Sequence, residues 1–181
     1  MRFFLFGLYA YVEHLFWGVC GVLPYPARHL LLRLVLKRLG YGSMIDYATY
    51  IRYPWKVSIG KGSQINRGCE LYTSFHVKDA EIVIGDDVAI GPDVKIFSAG
   101  HGYDTLKLSD IAATIRIHDH AWIGGGTIVL PGVEIGEGAV VGSGSVVTRS
   151  IPPYSIAVGK PARIIKPRFS QKDSKQNFEE D

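Results

Sequence analysis

A chain of 181 residues that is 47% hydrophobic and 20% charged suffices for one compact domain with appendages. The net charge of +3 gathers at 28–38 and 160–168, clusters that suit phosphate groups or an anionic surface and not a nucleic-acid groove. The 2 cysteines, Cys20 in an apolar segment and Cys69 within the later repeats, have no metal-type spacing and different surroundings, so no disulfide framework is expected and a reducing cytoplasm fits.

Residues 2–23 are apolar over almost a bilayer's thickness, but Glu13, His14, Gly7, Gly18 and Gly21 interrupt them. Glu13 and the following Pro24 and Pro26, with no small-residue cleavage pattern, also argue against a removable signal peptide. From Arg28 to Leu39 an amphipathic helix is expected, with Arg33 and Lys37 four apart and Gly40 as its stop. Residues 1–44 therefore read as a hydrophobic, basic, helical region that packs on the protein or lies on a membrane surface.

From Ile45 the period changes. Aliphatic residues recur at every sixth position: Ile59, Ile65 and Leu71; Ile84, Ile90 and Ile96; then Ile117, Ile123, Val129, Ile135, Val141 and Val147. Two residues before them stand smaller ones that also face inward on short strands: Ser63, Cys69, Val88, Val94, Ala121, Thr127, Val133, Ala139 and Ser145. Glycine follows the aliphatic residue at Gly60, Gly85, Gly91, Gly124, Gly136 and Gly142, where tight corners of unusual dihedrals are expected. Three strands closing a triangle make a coil of about eighteen residues, the unit of a hexapeptide β-helix. An ordinary β-sandwich would show no such fixed period.

The register slips between Leu71 and Ile84 and breaks between Ile96 and Ile117, so the second break leaves the coil as a loop carrying His101. Past Ile151 the repeats end at Pro152 and Pro153. The expected organisation is a helical region at 1–44, a β-helix at 45–168 and a disordered polar tail at 169–181.

Five segments carry a family resemblance: Ser98 to Asp104 around His101, Ala121-Trp122-Ile123-Gly124-Gly125, Val141 to Arg149, Ile151-Pro152-Pro153, and Val158 to Ile165. Over roughly residues 57–166 the sequence resembles the hexapeptide acyltransferases, in the galactoside and maltose O-acetyltransferase branch. The resemblance implies an all-β fold, a left-handed parallel β-helix, here with an N-terminal hydrophobic α-helical extension. It also implies a homotrimer with one acetyl-CoA site in each cleft between subunits, acetyl-CoA as co-substrate, and no metal.

By position, the resemblance makes His101 the catalytic base that takes the proton of an acceptor hydroxyl, a task for which imidazole is suited near neutral pH. Trp122 matches an aromatic of the active cleft and packs against cofactor or acceptor, or is covered by a neighbouring subunit. Gly125, Ser143 and Thr148 align with contacts to the pantetheine arm, and Lys160, Arg163 and Lys166 meet the CoA phosphates. The amides of Gly124 to Gly126 are candidate oxyanion donors. Tyr103 and Asp104 are candidate acceptor contacts.

The expected activity is acetyl transfer to a sugar or glycan hydroxyl, in surface polysaccharide biosynthesis. The acceptor could be lipid-linked, because residues 1–40 are suited to peripheral contact with the inner face of the cell membrane. Nucleic acid is not an expected partner. Two other readings are a non-catalytic β-helix scaffold and a γ-class carbonic anhydrase. The latter pairs zinc-ligating histidines five apart, and the residue five after His101 is Leu106.

Overall fold

The computed structural model describes residues 2–102, 104 and 106–169. Tyr103 and, beyond Phe169, the expected tail lie outside the described residues. The chain forms two compact units that meet in sequence between Val35 and Leu36.

The first unit is a pair of helices, α1 (Arg2–Val22) and α2 (Tyr25–Val35). Pro24 separates them, and Pro26 is tolerated as the second residue of α2 because an amide there has no partner inside the helix. Within α1, the Tyr9 hydroxyl donates to Glu13 Oε1 at 2.8 Å, four residues away, satisfying a carboxylate that is largely withdrawn from water. Leu8, Val12, Leu15, Val19 and Val22 form an exposed stripe at intervals of three and four residues. Among the described residues no helix is long and apolar enough to cross a membrane.

Gly40 does not end a helix. The helix stops at Val35, and Arg38–Leu39 already pairs in parallel with the strand Val57–Ile59. A Cβ at Gly40 would stand 2.4 Å from the backbone of Gly60, so the residue is there to let two coils touch.

The second unit is a three-sided parallel β-helix. Its first face is built from Arg38–Leu39, Val57–Ile59, Ile82–Ile84, Ile115–Ile117 and Glu134–Ile135. The second face holds Met44–Ile45, Gln64–Ile65, Ala89–Ile90, Trp122–Ile123, Val140–Val141 and Ser155–Gly159, and the third Tyr50–Arg52, Glu70–Tyr72, Lys95–Phe97, Ile128–Val129 and Val146–Val147. The chain visits the faces in turn, and each strand pairs with the one a coil away. The antiparallel strand Ala162–Pro167 then folds back on Ser155–Gly159.

Register follows the hexads. Ile59, Ile65, Leu71, Ile90, Ile96, Ile123, Val129, Ile135, Val141 and Val147 are all fully buried. The smaller positions two residues earlier, from Ser63 through Ser145, are buried with them. Buried hydroxyls at these positions find backbone carbonyls: Ser63 Oγ donates to Gly85 O at 2.7 Å, and Thr127 Oγ1 to Gly124 O at 2.6 Å. Aliphatic columns of this kind bury apolar surface between neighbours in sequence, coil on coil.

The glycine expectation needs correction. Gly124 does not adopt a positive φ; its own Cβ would meet Ser143 N at 2.5 Å, so the missing side chain allows adjacent coils to approach. The left-handed residue of that corner is Gly126, at φ 67°. In other coils Asp87, Asp93 and His120 occupy the left-handed position.

Candidate active site

All the departures from six-residue spacing fall at one corner, between the third face and the first. Three are insertions in successive coils, Tyr53–Lys56, residues 73–81 and residues 98–114, each leaving a third-face strand and returning to a first-face strand, and the last is a shortening between Val147 and Ile151, which bridges Ile135. The longest carries a hairpin in which Ala99–His101 pairs antiparallel with Asp110–Ala112, His101 standing opposite Asp110. Its base is closed where Ala113 N donates to Ser98 O at 2.9 Å, and its tip is narrowed by Gly102 N donating to Ser109 O at 2.8 Å.

This hairpin fixes the His101 ring. Nδ1 lies 3.0 Å from Leu108 O and 3.3 Å from Asp110 Oδ1, on an imidazole that is 61% exposed. A carbonyl oxygen can only accept, so the proton of a neutral imidazole sits on Nδ1 and the lone pair on Nε2. Leu108 holds a left-handed backbone conformation at φ 47°, which is costly for a leucine and places the strain in the turn that supplies that carbonyl. On its other oxygen Asp110 faces His76, with Nε2 4.0 Å from Oδ2. The carboxylate thus stands between two imidazoles.

The remaining expected site residues occupy other parts of the triangle. Trp122 points outward from the second face and is 53% exposed. It stands in one outward column with Ala89, Val140, Ile156 and Lys166. Gly125 and Ser143 share the corner between the second and third faces in adjacent coils, tied by Gly144 N donating to Gly125 O at 2.8 Å. Lys160 lies in the turn between Ser155–Gly159 and Ala162–Pro167, and Arg163 on the second of these strands, which extend the second face. Thr148 is at the corner of His101, two coils further on. Trp122, Gly125, Ser143 and the three cations therefore gather along the second face and its far edge. His101 occupies the corner opposite that face.

The amides proposed for an oxyanion are narrowed by the coil ladder. Gly124 N donates to Val141 O at 2.7 Å and Gly126 N to Pro92 O at 2.8 Å, which leaves the N–H of Gly125. Burial pushes the Cys69 thiol up to about 11, ruling it out as a nucleophile at neutral pH. Among the described residues no group of three or more His, Cys, Asp or Glu side chains could hold a metal ion.

Asp110 and His76 were not singled out from the sequence. No periodic signal marks them, because the approach of Asp110 to His101 depends on the antiparallel return of the hairpin, and that of His76 to Asp110 on the stacking of one coil's corner on the next.

Residues 114–149 match the family described as bacterial transferase hexapeptide (six repeats). The chain is 42% identical over 117 residues to a putative acetyltransferase of Schizosaccharomyces pombe, covering 63% of this chain and 54% of that protein, so it spans about half the length of that relative. It is 32% identical over 145 residues to the galactoside O-acetyltransferase of Escherichia coli, covering 77% of this chain and 68% of that one. A hexapeptide-repeat-containing acetyltransferase of Vibrio cholerae, solved in complex with acetyl-CoA, superposes with a TM-score of 0.79 at 29% identity, covering 87% of this chain and 86% of that one.

Proposed function

The chain belongs to the hexapeptide-repeat acetyltransferases, in the branch of the galactoside O-acetyltransferases, and from that premise we propose that it transfers an acetyl group from acetyl-CoA to a sugar or glycan hydroxyl with His101 as general base. The observation that carries this reading is the Nδ1 hydrogen bond to Leu108 O at 3.0 Å, which leaves Nε2 to accept a proton.

In the proposed step Nε2 takes the hydroxyl proton as the acceptor oxygen bonds to the thioester carbonyl carbon. The N–H of Gly125 stabilises the oxyanion. Collapse re-forms the carbonyl, breaks the carbon–sulfur bond, and releases CoA thiolate, which recovers the proton from the imidazolium. Asp110 is a positioning residue that favours the imidazolium formed in between. The pantetheine arm runs along Gly125 and Ser143 beside Trp122, with Thr148 reaching it from the His101 corner of an adjoining copy, and Lys160, Arg163 and Lys166 face the phosphates.

The opposed positions of His101 and the second face support an oligomer. In a homotrimer of left-handed β-helices the His101 corner of one copy meets the second face of the next, so each cleft draws base and cofactor contacts from different chains. The exposed apolar stripe of α1, with Leu8, Val12, Leu15 and Val19, supports work at the cytoplasmic surface of a membrane on a glycan of surface polysaccharide assembly.

The test is release of CoA thiol from acetyl-CoA with a panel of sugars and lipid-linked glycans, with His101→Ala in parallel. Acceptor-dependent release lost in the variant is expected. Turnover that survives the substitution, or none with any acceptor, overturns the reading. Flotation with anionic vesicles tests the membrane site, and a protein that stays at the bottom of the gradient refutes it.

A further inference from the structure

Two large aromatic side chains stand exposed at the corner that carries His101. Trp55, in the turn Pro54–Lys56, is 46% exposed, and Phe75, in the second excursion, is 62% exposed. Both flank the buried ring of Tyr53, at centroid distances of 5.5 Å for Trp55 and 5.7 Å for Phe75. Tyr53 is itself held under the Arg52 guanidinium, 5.4 Å from its ring centroid. The exposed rings are therefore the two sides of an anchored aromatic cluster.

The backbone beneath them is tied down. Lys56 Nζ donates to Ser74 O at 2.5 Å and to Val77 O at 2.6 Å, and burial holds its pKa below the ordinary lysine range. Ser74 Oγ accepts the amides of His76 and Val77, each at 3.2 Å, and Thr73 Oγ1 donates to Arg52 O at 2.8 Å. From this platform a continuous path leads to the base. The Phe75 ring lies edge-on to His76 at 5.7 Å, His76 approaches Asp110, and Asp110 approaches His101.

Resting on the acetyl-transfer reading above, we infer that Trp55 and Phe75 form an acceptor subsite, and that the acceptor is a glycan of two or more pyranose units and not a free monosaccharide. The rings offer flat apolar surfaces to the C–H faces of a sugar, and His76 and Asp110 offer hydrogen-bonding groups to its hydroxyls. A purely apolar occupant would strip water from those half-exposed polar groups without replacing its hydrogen bonds. Length follows from the coils. Trp55 lies two coils from the His101 loop, ~10 Å at the usual strand spacing, so a sugar poised at His101 leaves the aromatic pair for its neighbour in the chain. The arrangement also accounts for the broken hexads: both shorter excursions are spent on building this wall.

The experiment compares kcat/KM for acetyl transfer along series of increasing length, using glucose, maltose and maltotriose, galactose and lactose, and N-acetylglucosamine with its dimer and trimer. A rise of about tenfold or more from one unit to two is expected in the series the enzyme accepts. Trp55→Ala with Phe75→Ala should collapse that ratio to within about twofold of one, and Phe75→Tyr should retain it. Equal kcat/KM along every series, or a ratio untouched by the double substitution, overturns the subsite. So does a double variant whose only change is its oligomeric state by light scattering, since the rings would then be covered by a second copy. Saturation-transfer NMR with the same trimers separates this from failure of the acetyl-transfer reading: trimer binding that is lost in the double variant supports the subsite even if no acetyl group moves, and absence of binding to any trimer removes it.

Discussion

His101 and Asp110 face each other across the antiparallel hairpin, with Nδ1 3.3 Å from Oδ1 while the same nitrogen serves Leu108 O. In the proposed reaction the carboxylate is aimed at the nitrogen that does not receive the acceptor proton, so its expected work is orientation and stabilisation of the imidazolium. Asp110→Asn should lower kcat about 10- to 100-fold, with Asp110→Glu recovering part of the loss, while KM for acetyl-CoA stays within about twofold. His101→Ala should lose about 10²- to 10⁴-fold, the usual worth of a positioned base. Steady-state kinetics on the three variants separates these effects, and an Asp110→Asn enzyme with native kcat would deny the carboxylate its role.

Arg163 and Lys166 sit on the strand that extends the second face, and both are exposed. Each should contribute a phosphate contact to CoA. Arg163→Ala and Lys166→Ala are expected to raise KM for acetyl-CoA about threefold to tenfold each, roughly 0.7–1.4 kcal/mol, with kcat little changed. The increase should shrink as ionic strength rises. Measuring KM between low and high salt tests both statements.

The two kinds of glycine at one corner should respond differently to alanine. At Gly124 a Cβ would stand 2.5 Å from Ser143 N, so the coils must part; at Gly144, where φ is 69° and nothing lies within 4 Å, only the left-handed backbone resists. Gly144→Ala should cost about 1–2 kcal/mol. Gly124→Ala should cost clearly more, about 3 kcal/mol or beyond, because packed backbone is displaced. Thermal or denaturant unfolding of the pair gives the order, and equal losses would refute the distinction.

Cys69 supplies a prediction at alkaline pH. Its thiol is fully buried, and burial raises its pKa from 9.0 to about 11. The folded state therefore keeps the proton after the unfolded chain has released it. The stability this affords is intact below about pH 9 and is lost as pH rises towards 11, a fall on the order of 2–3 kcal/mol from one group. Cys69→Ala, which places at this position the residue found at Ala121 and Ala139, should flatten that limb of the stability profile. Urea denaturation at pH 8, 9.5 and 10.5 measures it.

Much of the β-helix was legible because its signal is repeated: the side chains at Ile117, Ile123, Val129, Ile135, Val141 and Val147 each meet the same geometric demand, and all point into the core. The excursion holding His101 was legible for the complementary reason, that it breaks the count. What it contains was not. The opposition of His101 and Asp110 is nine residues apart in sequence and depends on an antiparallel pairing that no hexad announces. The first coil was also obscure, since Arg38–Leu39 is too short to show a period and follows directly on helical pattern. At Gly124 the residue type was noticed for the wrong reason: glycine tolerates both unusual dihedrals and close approach, and composition cannot distinguish them.

A parallel β-helix has open ends, and an unpaired last strand would offer its amides and carbonyls to another molecule's first coil. Here the final strand, Ser155–Gly159, is answered by Ala162–Pro167 running the other way. The new outer edge carries Arg163 and Lys166 and finishes on Pro167, which has no amide proton to give. A growing fibre needs a receptive template with matching direction, and this terminus presents a reversed, cationic one. On the second face, among the described residues, this disfavours strand-to-strand stacking of one copy on the end of another, a contact that would extend without closing.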